Sequence, residues 1–398
     1  MQAFLSRLEV AQKNHRLWGI INFAFFVNGI MVIMLGVLLP YIKAEHTLSY
    51  TQAGIIFSSH QFGTFCAVLI AGVLPYMIGR RQSILLLLPG AVFGLTLAVL
   101  AQNWYLLILA FALIGIGRGA LNNTCNVMTS DISGNRAAAI NVLHSGWAFG
   151  ALISPVIVFL WVFATGASGW KLAALTVASL MAIAWLFFLR TNLPALPPKE
   201  EKGASLSFLR EASFWIPTML MFCYVAVESS IIGWFALYFI DDDTLPRSIA
   251  GFVPTIYWAI IAAGRIGVAL ISYRIRNKNW ALVLMALCAT GCFAGILLSS
   301  SALVSMIFLV GLGLGMAGIY SITMATMKGA ASSVSLGFTV AISGLGGILM
   351  PGIVGAVADA RGIAEGIALV LVALATMVMF AVFKIINERV VAQKQVHR

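Results

Sequence analysis

One acidic side chain of this sequence lies deep inside an apolar run. Of the 13 Asp and Glu residues, Glu228 alone falls midway along such a run, and the others fall at run ends or in polar connections. An ionisable group in hydrocarbon costs at least about 2.5 kcal/mol on insertion scales, so it needs a reason to be there. A carboxyl that moves between a dry site and a nearby arginine can take up and release a proton. Glu228 is therefore the expected proton-carrying group; the alternative is a neutral or ion-paired glutamate that only fastens helices.

Two arginines also lie within apolar runs. Arg118 stays charged in a protein, so it has to face a carboxylate, carbonyl oxygens, water or an anionic substrate. Arg265 lies nearer one end of its run, from which a long side chain can reach the cytoplasmic interface. We therefore expect Arg118 to lie beside a cavity and Arg265 to have a structural or gating role. The apolar runs thus contain two arginines but only one deeply placed acid. An anionic substrate would be another way to supply the missing negative charge.

Polar side chains recur at helical spacing in two consecutive runs. In the first run they are four residues apart: Arg118, Asn122 and Asn126. In the second they share a face, with an aromatic residue close by: Asn141, His144, Ser145 and Trp147. Such stripes turn inward in lipid, and amides, hydroxyls and imidazole can bond sugar hydroxyls while an aromatic ring covers the apolar face of a sugar. They predict a cavity for a polyhydroxy ligand; hydrogen bonding between helices is the alternative.

Other runs contribute further candidates for the same cavity. These are polar or aromatic residues at membrane depth: Asn28, Gln61, Tyr224, Trp258 and Tyr320. His144 titrates near physiological pH and can share protons with Glu228. The five cysteines lack the paired spacing of a zinc site, so we expect neither a metal nor a cofactor. The acidic triplet at residues 241–243 could instead mark a membrane enzyme, but a solvated loop end is the preferred interpretation.

These residues lie in a chain that is too apolar for a water-soluble fold. It has 398 residues, of which 61% are hydrophobic and 9% are charged, against about 25% charged in soluble domains. Six apolar runs precede a polar stretch: 17–42, 52–77, 82–101, 104–129, 137–164 and 169–189. Six more follow it: 212–240, 248–273, 280–299, 302–327, 333–357 and 363–386. Since a bilayer span takes about 20 residues and backbone groups in lipid must bond internally, twelve transmembrane helices are predicted.

The basic residues orient these helices. Of the 24 Lys and Arg residues, Arg118 and Arg265 lie within runs, and few lie in the odd-numbered connections: Lys43, Lys171, Arg247 and Arg361. The rest lie at the termini and in the even-numbered connections. The positive-inside rule then places both termini in the cytoplasm. We expect the protein to lie in the inner membrane of the cell. Because the net charge of +11 follows the loops, no nucleic-acid partner is expected.

A polar stretch bisects the spans. Residues 191–210 are rich in Pro, Ser and charged side chains, as an interdomain linker is. We predict an N-terminal six-helix bundle at 1–190, a cytoplasmic linker at 191–210 and a C-terminal six-helix bundle at 211–398. This is an all-α integral membrane fold of two pseudo-symmetric bundles, and two-bundle transporters bind their substrate between the halves near the midplane.

The connection after the second span resembles the signature of the major facilitator superfamily. The signature reads G-x-L-x-D-x-x-G-R-R/K, and here its positions hold Gly72, Gly79, Arg80 and Arg81. Tyr76 stands where the signature has aspartate. The resemblance covers essentially the whole chain and implies the major facilitator fold. It also implies structural or gating roles for these four signature residues.

Further stretches are similar to the fucose, galactose and glucose proton-symporter family of that superfamily. Arg118-Gly119 resembles the intramembrane arginine motif of the superfamily. The narrower resemblance rests on a handful of segments: Asn141-Val-Leu-His144-Ser145 to Gly150 and Pro155, YVAVESSIIGWFALYF in the seventh span, and Trp258 followed by Gly264-Arg265. Relatives of the fucose permease use acids in the first and fourth spans, where this chain has Asn28 and Asn122. Their coupling scheme therefore cannot be carried over whole.

These observations lead to one expected function. The chain is expected to move a sugar or sugar-like solute across the membrane by alternating access and in symport with protons. It is expected to do so as a monomer in lipid. Alternatives are a proton-coupled transporter of an organic anion and an antiporter that exports drugs or metabolites. A Gly-Pro pair in the fifth span would mark the antiporter, and none occurs there.

Overall fold

The computed structural model describes residues 9–134, 136–194, 207–242, 245–271, 277–327 and 333–396. Most of the predicted linker, residues 195–206, lies outside these ranges, as does Asp243. The chain separates into two compact units, Met1–Glu200 and Glu201–Arg398. Among the described residues, 11 helices are long and apolar enough to span a membrane. The protein is therefore a multi-pass membrane protein, as the sequence predicts.

The first unit contains helices that match the first six apolar runs. They are α1 (His15–Glu45), α2 (Tyr50–Ile78), α3 (Arg80–Leu87 and Pro89–Leu100), α4 (Trp104–Ile132), α5 (Arg136–Thr165) and α6 (Gly169–Leu189). Helix α3 is interrupted at Leu88 because Pro89 has no N–H to continue the helical hydrogen bonds. Helix α2 begins with a capping box, in which the Ser49 hydroxyl accepts from the Gln52 N–H at 3.2 Å.

The second unit contains helices that match the last six runs. They are α7 (Ala212–Asp241), α8 (Val253–Ile271), α9 (Lys278–Leu298), α10 (Ala302–Ala317 and Ile319–Ala325), α11 (Ser333–Arg361) and α12 (Ile363–Ala368 and Val370–Val396). Helix α8 begins later than the run 248–273 predicts, after a separate turn at Arg247–Ala250. Pro254 lies in its first turn, where the missing N–H of a proline costs nothing.

The two units pair their helices in the same order. In each unit the first helix packs against the fifth, and the second and third pack against the fourth. Most residues of α1 and α7 are buried, whereas most residues of α2 are exposed or only partly buried. Helices that are apolar all round belong in the interior of a bundle. Asn28 and Glu228 therefore lie on the interior helix of their respective units.

Candidate functional site

The second unit connects Glu228 to an arginine through a tyrosine hydroxyl. Tyr224 lies one turn before Glu228 on α7, and its hydroxyl donates to Glu228 Oε1 at 3.0 Å. Arg265 on α8 donates from Nη2 to the same hydroxyl oxygen at 3.2 Å. All donors thus point from the guanidinium towards the carboxyl group. This direction suits an ionised glutamate, which can only accept hydrogen bonds.

Aromatic rings enclose this cluster. The Arg265 guanidinium lies over the Trp258 ring, 5.6 Å from its centroid. The Tyr224 ring is 6.1 Å from the ring of Tyr320 on α10. Tyr224 is 1% exposed and Tyr320 is 39% exposed, so the cluster reaches from the interior of the unit to its surface. The four predicted site residues of this unit that surround Glu228 are therefore assembled in one place.

Arg265 differs from what its position in the sequence suggests. The sequence allowed its side chain to reach the cytoplasmic end of the run, but in the structure the guanidinium lies over the ring of Trp258, seven residues earlier. Helical side chains lean towards the N-terminus of their helix, which makes this direction accessible. The positive charge is held by a tyrosine hydroxyl and an indole face beside the one deep acid.

In the first unit, Arg118 is paired with an amide. Arg118 Nη1 on α4 donates to Gln61 Oε1 on α2 at 2.8 Å. Glycines bring the two helices together: a Cβ on Gly115 would overlap the carbonyl oxygen of His60, and one on Gly119 would lie 2.6 Å from that of Thr64. The close backbone approach lets the long arginine side chain reach its partner across the interface.

The two predicted polar stripes meet between α4 and α5. Asn126 Nδ2 donates to the Asn122 carbonyl oxygen at 2.7 Å, and Asn126 Oδ1 lies 3.1 Å from His144 Nε2. The Asn141 carbonyl accepts from the Ser145 hydroxyl at 2.8 Å. Asn122, Asn141 and His144 are exposed. They form a polar surface of amide, hydroxyl and imidazole groups that carries no formal charge when the imidazole is neutral.

Asn28 and Trp147 lie where α1 crosses α5. A Cβ on Gly29 would overlap the backbone carbonyl of Trp147, so the two helices touch at this level. Asn28 is 2% exposed, and its Oδ1 has no hydrogen-bond partner among the described residues. Trp147 is half-buried.

The segment that carries the signature, at residues 72–81, forms contacts between helix ends. Gly79 ends α2 with a φ of 88°, a conformation that favours glycine. Arg80 begins α3 and forms an ion pair of 2.6 Å with Asp131 at the end of α4. Arg81 donates to the Leu189 carbonyl at 2.6 Å. A Cβ on Gly72, by contrast, would meet nothing within 4 Å, so contacts do not require glycine there.

Asp131 is the residue that the sequence analysis did not single out. The signature aspartate is replaced by Tyr76, which is 49% exposed. The carboxylate partner of Arg80 comes instead from the end of α4. One indication was available in the sequence: Asp131 is the acid that closes the fourth span, on the same predicted side as Arg80.

The Arg80–Asp131 pair predicts a measurable coupling energy. The Arg80 side chain is 6% exposed, so removing Asp131 leaves a buried charge, and we expect Asp131→Ala to cost about 2 kcal/mol. A double-mutant cycle with Arg80→Ala, followed by unfolding in mixed SDS micelles, should give a coupling of about 1 kcal/mol or more. The pair Glu45–Lys171 is the control: both side chains are 35% exposed, and about 0–1 kcal/mol is expected. Additive effects at Arg80 and Asp131 would contradict the pairing.

The chain is similar to bacterial solute transporters. The sequence profile of the Major Facilitator Superfamily matches residues 21–351. The hexuronate transporter of Bacillus subtilis (strain 168) is 25% identical over 252 residues, which cover 59% of this chain and 58% of that protein. The L-fucose-proton symporter of Escherichia coli (strain K12) is 25% identical over 316 residues, covering 68% of this chain and 71% of that protein.

Solved structures share the same fold at lower sequence identity. A bacterial homologue of the human lysosomal transporter Spinster, in an inward-facing and unoccupied conformation, matches with a TM-score of 0.76 at 16% identity. That match covers 93% of this chain and 97% of the other. A variant of the Escherichia coli fucose:proton symporter matches with a TM-score of 0.62 at 18% identity, covering 92% and 98%. Together with the family profile, these matches show that the chain belongs to the Major Facilitator Superfamily and is a membrane transporter rather than an enzyme.

Proposed function

We propose that this transporter is a proton-coupled symporter that imports a sugar or a sugar-like polar solute. The observation that carries the proposal is the hydrogen-bonded series Arg265–Tyr224–Glu228. It holds the one deep acid of the chain beside a fixed positive charge, through a hydroxyl that can donate or accept. A carboxyl group in such a place gains or loses a proton when its neighbours move.

Substrate contact is assigned to polar groups of both units. In the first unit the neutral amides and the imidazole of the Asn126–His144 pair suit hydroxyl groups, because each can both donate and accept. In the second unit Trp258 and Tyr320 offer aromatic faces for the apolar side of a sugar ring. The residues proposed to face the solute are Asn28, Gln61, Arg118, Asn122, Asn126, Asn141, His144, Trp147, Tyr224, Glu228, Trp258 and Tyr320.

The proposed cycle alternates access to the solute from the two sides of the membrane. Ionised Glu228 accepts from Tyr224, and protonation removes the negative charge that holds this bond and draws Arg265. The loaded state would thus differ from the empty state by one carboxyl proton, with His144 as a second proton-accepting group. We place both termini in the cytoplasm, because the basic residues cluster in the even-numbered connections. We further propose that the protein lies in the inner membrane as a monomer surrounded by lipid.

An organic anion is the second candidate for the solute. Arg118 supplies a permanent positive charge at membrane depth, and its guanidinium is oriented by the Gln61 amide. A guanidinium can bind a carboxylate through two parallel hydrogen bonds. The hexuronate transporter of Bacillus subtilis, which is named for such an anion, is among the relatives.

Transport in liposomes distinguishes these candidates. Purified protein is reconstituted with a pH-sensitive dye inside, and L-fucose, D-galactose, D-glucose and D-glucuronate are added outside in separate experiments. We expect one of the neutral sugars to acidify the lumen as it enters. Acidification by D-glucuronate alone would support the organic-anion candidate. Entry of any of the four without proton movement would contradict proton coupling, and no entry of any would contradict the proposed solute class.

A further inference from the structure

A cavity lies at the end of the first unit where α1 turns into α2. It has a volume of about 390 Å³, and small-molecule sites usually have about 300–1,000 Å³. Its lining comes from the α1–α2 turn, the first turn of α2 and the connection from α3 to α4. None of these residues belongs to the site described above. The proposed orientation puts this end of the unit on the external side, opposite the termini.

Amide groups in this cavity keep hydrogen-bond donors available. Gln52 Oε1 accepts from the Ser49 N–H at 3.0 Å, and Asn103 Oδ1 accepts from the Leu106 N–H at 3.0 Å. Each amide oxygen is thus fixed at a helix start, and neither NH₂ group has a hydrogen-bond partner among the described residues. Gln102, next to Asn103, is exposed and adds a third amide to the lining. The cavity therefore offers several amide donors to a ligand.

A carboxylate and an indole ring share the cavity with these amides. Glu45 at the end of α1 accepts from Trp170 Nε1 at 2.8 Å and forms an ion pair with Lys171, both on α6. These bonds hold the carboxylate in place, and each of its oxygens retains a second acceptor site. Trp104 at the start of α4 is the aromatic part of the lining, and its ring centroid lies 4.3 Å from that of Tyr105. A fixed acceptor and a supported aromatic ring thus line one cavity.

This combination suits a neutral solute with several hydroxyl groups. A hydroxyl can donate to the carboxylate and accept from an amide NH₂ group at the same time. The aromatic ring can cover the apolar face of a sugar ring. The carboxylate repels an anion, and amide NH₂ groups offer no lone pair to a metal cation. Sugars and similar polyhydroxy compounds are therefore the ligand class that the lining favours.

Thr47 has a backbone conformation that supports a function in this cavity. Its φ is 48°, and the Leu48 N–H closes the end of α1 on the Lys43 carbonyl at 3.0 Å. Glycine is the usual residue at such a helix end, and a β-branched side chain is strained there. Strained residues of this kind cluster at ligand-binding sites. Because Thr47 lines the cavity, a hydroxyl that binds the ligand accounts for threonine in place of glycine.

We propose that this cavity is an entry site that binds the transported solute, a neutral sugar or a similar polyhydroxy compound, on the external side. The proposal rests on the proposed function for the solute class and on the proposed orientation. A solute held in the cavity has a raised local concentration at the external end of the first unit. The cavity therefore lowers the KM of transport, whereas Glu228 determines the coupling to protons.

Fluorine NMR of the protein labelled with 5-fluorotryptophan, in nanodiscs, tests binding at the cavity. The chain has 10 tryptophans, and Trp104→Phe identifies the signal of Trp104. L-fucose, D-galactose, D-glucose and D-glucuronate are titrated in separate experiments. We expect at least one neutral sugar to shift the Trp104 signal in a saturable way. D-glucuronate should leave the signal unchanged, because Glu45 repels its carboxylate.

Two substitutions separate a binding role from a structural one. Thr47→Gly relieves the strained φ and removes the hydroxyl, so the unfolding temperature should stay level or rise while sugar binding weakens. Gln102→Ala removes an exposed amide and should weaken binding as well. One neutral hydrogen bond corresponds to about threefold to tenfold in the dissociation constant. In liposomes, each variant should raise KM by the same factor and leave the maximal rate within about twofold of wild type.

Asn192→Ala is the matched control, because it removes an exposed amide just after the other end of α6 and should change neither binding nor KM. Transport of a sugar that leaves the Trp104 signal unchanged would overturn the entry site alone. So would wild-type binding and KM in Thr47→Gly and Gln102→Ala, or a lower unfolding temperature of Thr47→Gly. A saturable shift in a protein that transports none of the sugars would contradict the proposed function and remove the role of the cavity in entry.

Discussion

Glu228→Gln is expected to abolish uphill accumulation of the solute while leaving solute exchange intact. Glutamine keeps the carbonyl oxygen that accepts from the Tyr224 hydroxyl, so the cluster retains its shape. It has no proton to release, so a pH gradient can no longer be converted into a solute gradient. With one proton per solute, each pH unit supports about tenfold accumulation in the wild type. The variant should instead stop at equal concentrations on both sides.

Counterflow measures the two activities separately. Liposomes loaded with unlabelled solute exchange it for labelled solute without net proton movement, and a rate within about threefold of wild type is expected for Glu228→Gln, a barrier change below about 1 kcal/mol. Glu211→Gln is the matched control: it carries the same substitution just before the start of α7, where the side chain is exposed and accepts from Ser213. It should accumulate solute normally. Uphill accumulation by Glu228→Gln would remove Glu228 from the coupling step.

The spans could be predicted from the sequence because the bilayer imposes one dominant constraint. Long runs of mostly apolar residues had to become helices, since no other open structure bonds its own backbone in hydrocarbon. The breaks within helices and their exact starts were harder to predict from the sequence. Proline explains the break before Pro89 and the late start of α8 at Val253, but the run lengths alone overestimated α8.

The assembly of the candidate site could be predicted only in part. Spacing of three or four residues places Asn122 and Asn126, or Tyr224 and Glu228, on one face, because this is a property of a single helix. Partners on different helices depend on the direction of long side chains and on the closeness of the backbones. Hence the sequence could not show that Arg265 lies over Trp258 or that the partner of Arg80 is Asp131.

Gly115→Ala is expected to destabilise the first unit by about 3 kcal/mol, against the trend of helix propensity. Alanine in place of glycine in the middle of a helix is normally favourable by about 1 kcal/mol. At Gly115 the new methyl group would overlap the His60 carbonyl oxygen and lie 2.8 Å from the Thr64 nitrogen. Both are backbone atoms that cannot rotate away, so α2 and α4 have to separate, and overpacking of this kind costs about 1–3 kcal/mol or more.

Gly291→Ala is the control: the same substitution at this position is expected to leave stability unchanged or to raise it. Gly291 lies in the middle of α9, and a Cβ there would meet nothing within 4 Å, so only the propensity term remains. In matched detergent, the unfolding temperature should fall for Gly115→Ala and stay level or rise for Gly291→Ala. Separation of α2 from α4 should also break the bond from Arg118 to Gln61 on the same interface, so Gly115→Ala should lose transport. Equal stability of the two variants would mean that α2 and α4 do not touch at Gly115.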